Sequence, residues 1–156
     1  MTTYERLIRE LGEGIGSELD IDAGGIVEIA VEERAVLLKP QEGDEALTMF
    51  TVAATAPEDG KFAAATLEKA LSLNLFGNGT LGGHLGLFAN SLILSSNVSL
   101  ADLNVGGLAK HLIAFARFAE KLAKDLQAEE EGTTPASAGS GEEALQQFAA
   151  NNLLRV

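Results

Sequence analysis

The two histidines, His84 and His111, are the first side chains to test for chemistry, and neither stands among metal-binding partners. Cysteine is absent, so a zinc site would have to draw its remaining ligands from Asp and Glu, and none of these has ligand spacing to either histidine. The stretch Gly77-Asn78-Gly79-Thr80-Leu81-Gly82 matches GxGxxG letter for letter. That motif holds a dinucleotide only where a strand leads in and a helix leads out, so that the phosphate meets a helix N-terminus. Here the residue pattern puts a helix before it and a strand after it, which makes it a tight helix-to-strand turn. Adjacent carboxylates such as Glu32-Glu33 and Glu142-Glu143 carry no information about acid–base work in a chain with 23 acidic residues. There is no GxSxG and no Cys/His pair. The expectation is a protein that is not an enzyme and holds no metal or cofactor. An unrecognised ligand site in the loop 77–86, near His84, is the competing enzymatic reading.

The bulk numbers bound the class of molecule and the partners its charge admits. A chain of 156 residues with 46% apolar and 22% charged residues has the composition of one globular domain. It contains no apolar run of the roughly 18 residues that suggest a membrane span, and its first residues, Met1-Thr2-Thr3-Tyr4-Glu5-Arg6, lack the apolar stretch of a secretory signal. The absence of cysteine fits a reducing cytosol. The net charge of −12 opposes a phosphate backbone or an anionic membrane, because both are bound through Lys and Arg. It attracts a partner with basic segments over about 8 Å at physiological salt, or it serves solubility alone.

The elements that frame these residues follow from apolar spacing. Thr2 and Glu5 are placed as a capping box, and Tyr4, Leu7, Ile8, Leu11 and Ile15 share one face of the helix it opens. Gly12, Gly14 and Gly16 weaken that helix and end it. Val27, Ile29 and Val31 then alternate with polar or small residues, the period of a half-buried strand. Two more strands, 35–39 and 46–54, follow after short links, so the three form an antiparallel meander. In the third, Leu47 and Met49 fall on one face and Phe50 and Val52 on the other, and both faces call for cover. Pro57-Glu58-Asp59-Gly60 signals a helix start with Asp59 as N-cap, and the helix is expected over 61–75. Its apolar residues form two stripes, Ala63, Leu67, Ala70 and Leu71 against Phe62, Leu73 and Phe76. A helix with two stripes is buried on two sides, by a second subunit or within the chain. Two strands, 85–88 and 91–98, come next, with Leu92, Leu94 and Val98 on a common face. Ser99 and Asp102 repeat the capping-box spacing before a long helix, 105–127, whose Leu108, Leu112, Phe115, Ala119, Leu122 and Leu126 form a narrow seam.

This order of elements, together with the stretch 67–87, resembles the CesT/Tir-chaperone family, the class I type III secretion chaperones. The family pattern is a Leu-rich helix ending in Asn-Leu-Leu/Phe, a turn of small residues, a Leu-Gly-Leu strand and a Leu-Val/Ile-Leu-Ser strand. Its counterparts here are Asn74-Leu75-Phe76, Leu85-Gly86-Leu87 and Leu92-Ile93-Leu94-Ser95, and the resemblance spans 4–127. It implies an α+β fold (helix, three strands, helix, two strands, helix, with an antiparallel sheet packed by helices) that forms a homodimer in the bacterial cytoplasm. The partner it implies is the N-terminal segment of a secreted effector, held extended and kept soluble for export. It assigns Leu71, Leu75, Phe76 and Leu87 to the dimer interface. The candidate effector contacts are Leu7, Leu11, Leu37, Met49, Phe50 and Val52, for which ordinary core burial is the alternative. A protein-sequestering module of the same fold outside secretion is the other reading of the resemblance.

The family domain is expected over 1–128. A Gly/Ser/Thr-rich linker, 129–141, and a short amphipathic segment, 142–156, with Leu145, Phe148, Ala149 and Leu153 on one helical face, lie beyond it. That segment is expected to dock on the effector groove or on the other subunit.

Overall fold

The computed structural model of the chain describes residues 1–77 and 79–132. Among the described residues the elements are α1 (Thr3–Ile15), β1 (Val27–Val31), β2 (Arg34–Pro40), β3 (Ala46–Thr55), α2 (Ala64–Asn74), β4 (His84–Phe88), β5 (Ser91–Ser99) and α3 (Val105–Glu130). The strands form one antiparallel sheet in the order β1-β2-β3-β5-β4. The α+β architecture expected from the residue pattern is the one observed. Helix α3 continues through Glu129 and Glu130, so these two residues extend the helix rather than open a linker. The expectations for Leu145, Phe148, Ala149 and Leu153 lie outside the described residues.

Local chemistry accounts for the element ends. The Thr2 hydroxyl accepts the Glu5 N–H at 3.1 Å, and the Glu5 carboxylate accepts the Thr2 N–H at 2.9 Å, closing the capping box. Gly16 ends α1 in the left-handed region at φ 69°, a conformation that glycine adopts without strain. Tyr4, Leu7, Ile8 and Leu11 are buried, whereas Ile15, in the last turn, stays half exposed. Period-2 burial then runs through the sheet. Val27, Ile29 and Val31 of β1, Val36 and Leu38 of β2, Leu47 and Met49 of β3, and Leu92, Leu94 and Val98 of β5 all enter one core. The seam of α3, from Leu108 through Leu126, closes over it, and every predicted member of that seam is buried.

Two predicted caps do not form, and α2 starts three residues later than expected whereas α3 starts at Val105 as expected. Asp59 does not cap α2: its carboxylate accepts the Lys61 N–H at 3.1 Å, and Gly60, at φ 75°, completes a turn that ends before the helix begins. The α2 N-cap position is Ala63, whose side chain caps nothing. Likewise Ser99 and Asp102 form no capping box. Asp102 sits at φ 57° in a turn, and α3 is capped by the Asn104 side chain, which accepts the Gly107 N–H at 2.8 Å. In both cases a capping residue followed by a turn-former gives the same letters as a helix start, and the turn takes the hydrogen bond first.

The start of α1 is also tied to the meander. The Asp44 carboxylate, in the link between β2 and β3, accepts the Thr3 N–H at 2.7 Å and the Tyr4 N–H at 3.1 Å. These bonds favour its charged form and hold its carboxyl below the usual carboxylate range. A carboxyl with a depressed folded value stabilises the fold fully above its unfolded value of about 4 and loses that contribution as pH falls through the folded value. Asp44→Asn keeps the side-chain size and removes the charge. It is expected to lower Tm at pH 7 and to flatten the fall of Tm below about pH 4. Thermal melts from pH 7 to pH 3 check this, and superimposable curves for the two proteins would count against it.

Candidate protein-binding surfaces

The first surface is built where α2 meets the edge strand β4. Thr66 and Ala70 are the buried residues of α2, and Leu67 and Leu73 pack partly against the core. The opposite side carries Leu71, which is 72% exposed, and the turn after the helix carries Leu75 and Phe76, the latter 75% exposed. Ala70 and Leu71, predicted for one stripe, therefore part company at the core boundary. Phe76 also sits at φ 57°, a region a bulky aromatic residue rarely enters. Leu87 of β4 extends the surface at 59% exposure, whereas Phe88, at 77%, stands on the opposite face of that strand, and Leu81 is exposed in the preceding loop. Leu71, Leu75, Phe76 and Leu87 were legible from the resemblance. Leu81 and Phe88 were not singled out, although an apolar residue beside a glycine turn and another beside a two-residue hairpin are visible signals.

The loop that carries the GxGxxG letters is the hinge of this surface. A helix precedes it and a strand follows, which is the reverse of the phosphate-binding order. Thr80, buried in its centre, donates to the Gly83 carbonyl at 2.5 Å. At Gly83 a side chain would meet the Ser95 carbonyl at 2.5 Å, so the close approach of loop to β5 excludes any larger residue. Asn74, the last residue of α2, bridges to the edge strand: its amide donates to the Leu85 carbonyl at 2.7 Å and its side-chain oxygen accepts the Leu85 N–H at 2.6 Å. This side chain imitates a neighbouring strand and satisfies one residue of the β4 edge.

The second surface is the sheet face turned away from the helices. Leu37 pairs with Phe50, Phe50 with Ser95, and Val52 with Ile93, so these side chains line one face. Leu37, Phe50 and Ile93 are partly exposed and Val52 is 46% exposed. A recess of about 430 Å³ opens there, lined by Phe50, His84, Gly86, Phe88, Ile93 and Ser95. Leu37, Phe50 and Val52 are thus brought together as a candidate contact face. Leu7, Leu11 and Met49 are not: they are buried in the core and support that face from beneath. Period 3.6 and period 2 correctly placed them on apolar faces, but those faces are the ones that meet each other inside the subunit.

Charge gathers at the end of the sheet where β1 turns into β2. Arg117 of α3 grips the Glu32 carboxylate at 2.8 Å, and Arg34 reaches Glu120 at 2.8 Å and the Val52 carbonyl at 2.8 Å. The hydrogen bonds from Arg117 pull the Glu32 carboxyl below its usual range, and those from Arg34 do the same to Glu120. Among the described residues no group of three or more His, Asp or Glu is placed to hold a metal ion, and no helix is long and apolar enough to cross a membrane.

Residues 6–123 match the model of one family. The chain belongs to the Tir chaperone protein (CesT) family. Solved structures share its fold. A chain of the ExsC–ExsE complex superposes with a TM-score of 0.66 at 20% identity, covering 81% of this chaperone and 97% of that chain. A chain from the complex of the Yersinia pestis type III secretion chaperone SycH with a stable fragment of YscM2 gives 0.57 at 21% identity, covering 76% and 98%. A chain of the HopA1–SchA chaperone–effector complex gives 0.58 at 17% identity, covering 78% and 94%. No match to a curated protein was found. Membership in a chaperone family points to binding rather than catalysis.

The division between core and surface has a direct consequence. Leu11→Ala in this chaperone is expected to cost about 2–5 kcal/mol, as for other buried leucines. Val52→Thr, on the exposed sheet face, is expected to stay within about 0.5 kcal/mol of the parent. Urea unfolding of both variants at one protein concentration checks this; equal losses would mean that the outer face is covered.

Proposed function

We propose that this chaperone acts as a homodimeric class I type III secretion chaperone. It binds the N-terminal segment of an effector in the bacterial cytoplasm and keeps it soluble and competent for export, without performing chemistry. The observation that carries this reading is that one subunit leaves apolar side chains exposed both where α2 meets β4 and on the sheet face turned away from the helices. The α2–β4 surface, with Leu71, Leu75, Phe76 and Leu87, takes a second copy of the chain. The outer sheet face, with Leu37, Phe50 and Val52, takes the client. Family membership and the likeness to a chain of a chaperone–effector complex support the same assignment.

Capture of an extended segment suits such a face. Apolar side chains of the client fill recesses between strands, and its backbone can add to a sheet edge, so affinity arises without a folded partner. The net charge of −12 speeds the encounter with a basic client and keeps the loaded complex soluble.

Co-expression with neighbouring reading frames, followed by light scattering, tests the reading. The expected species holds two copies of this chain and one client chain. The double variant Leu71→Asp, Phe76→Asp should run as a folded monomer by the same measurement. Phe50→Ser with Val52→Ser should remain dimeric and lose at least tenfold in client affinity, the loss expected when two apolar contacts are removed. A parent protein that stays monomeric and retains no client would sink the proposal.

A further inference from the structure

Helix α2 begins without a cap of its own. Ala63 occupies the N-cap position with φ −59° and ψ 146°, and it offers no side-chain acceptor to the first turn. The N–H groups at a helix start lack intrahelical partners, and an alanine cap leaves them to find others. Here an acceptor for the N–H of the N-cap residue itself comes from the far end of the fold. The carboxylate of Glu130, in the last turn of α3, lies 2.9 and 3.1 Å from the Ala63 nitrogen and accepts its N–H. The same carboxylate accepts the hydroxyl of Thr66, a fully buried residue, at 2.5 Å. It also places a negative charge at the positive end of the α2 dipole.

Resting on the reading of α2 as the dimer face, we infer that Glu130 is the positioning residue of that face. It fixes the start of α2 against α3 and so sets where Leu71 and Phe76 stand for the second copy. The composition of α2 is what makes such a clamp necessary. A helix that turns apolar residues outward has fewer left to hold it inward: α2 buries Thr66 and Ala70, with Leu67 and Leu73 packed only partly against the core. Its orientation then depends on polar ties at its two ends: Glu130 at the start and the Asn74–Leu85 bridge at the finish. Neither tie uses the outward face, so both leave it clear for association.

The test uses the full chain and a local substitute for the distant cap. Glu130→Ala should raise the dimer dissociation constant about tenfold in a dilution series, because each of the two subunits must then order the start of α2 on association. It should also speed amide hydrogen exchange at residues 63–67. Adding Ala63→Ser to Glu130→Ala supplies a cap oxygen on backbone that is already extended, and it should recover most of both losses. A double variant as impaired as the single one would show that Glu130 acts by some route other than capping, and would overturn the inference. So would unchanged exchange in Glu130→Ala within a protein that still dimerises. A parent protein that never dimerises overturns the dimer reading itself; in that case the exchange measurement still decides whether Glu130 holds α2.

Discussion

A five-stranded sheet with helices on one side only is the constraint from which the rest follows. The strands alternate strictly, so each places half its side chains against α1, α2 and α3 and half on the opposite face. The helix side is dry, with Leu38, Leu47, Leu94, Leu108 and Leu126 fully enclosed. A surface-exposed sheet normally answers this with polar residues on its open face. This one does so in part, with Thr48, Ser95 and Asn97, and interrupts them with Leu37, Phe50, Val52 and Ile93. The fold of one subunit covers those apolar residues only in part, and a partner that completes the burial adds a fraction of the roughly 1.5–3 kcal/mol that full burial of each is worth. On the proposed reading, stability of the subunit and capture of a client fall to opposite faces of the same strands.

The elements whose meaning is local were legible in the residues alone. The Thr2–Glu5 capping box, the alternation of β1 and β3 and the four–three seam of α3 each depend on side chains a few positions apart. What depends on distant partners was not. The cap of α2 lies 67 positions away at Glu130, and the second brace of α1 is Asp44, which reads as an ordinary turn residue. The same limit explains the contact residues. Leu7 and Met49 carry the apolar spacing that any packed face carries, and only the position of the helix layer decides that they are covered while Phe50 is not. Asn74 entered as part of a family pattern; its work, pairing both hydrogen-bonding groups of Leu85, needs the edge strand beside it to be seen.

The turn between β1 and β2 shows how the sheet is locked to α3 where apolar contact runs out. Both turn residues, Glu32 and Glu33, have positive φ, at 48° and 71°, a conformation favoured by Asn and Gly and costly for Glu. The bidentate grip of Arg117 on Glu32 draws the turn to α3, and Arg34 adds a second tie to Glu120. Exposed pairs of this kind add little stability. Their value lies in placing the hairpin, which frames the open sheet face next to Val52, since Arg34 also holds the Val52 carbonyl.

The same logic accounts for the form of α2. Apolar surface can be used once: a leucine buried inward to hold a helix is lost to a second molecule. Helix α3 turns a full seam of apolar residues inward, with the Arg117–Glu32 and Arg34–Glu120 ties beside it, whereas α2 keeps Leu71 outward, continues into the outward Phe76, and adds carboxylate, hydroxyl and amide ties to its few inward contacts. Polar ties are directional and short, so they hold position with little contact area. Phe76 in the left-handed region fits this arrangement, because turning the chain there lets α2 end at the edge strand while the ring points away from the core. A helix braced at both ends, with Leu71 left exposed between them, supports the dimer reading proposed above.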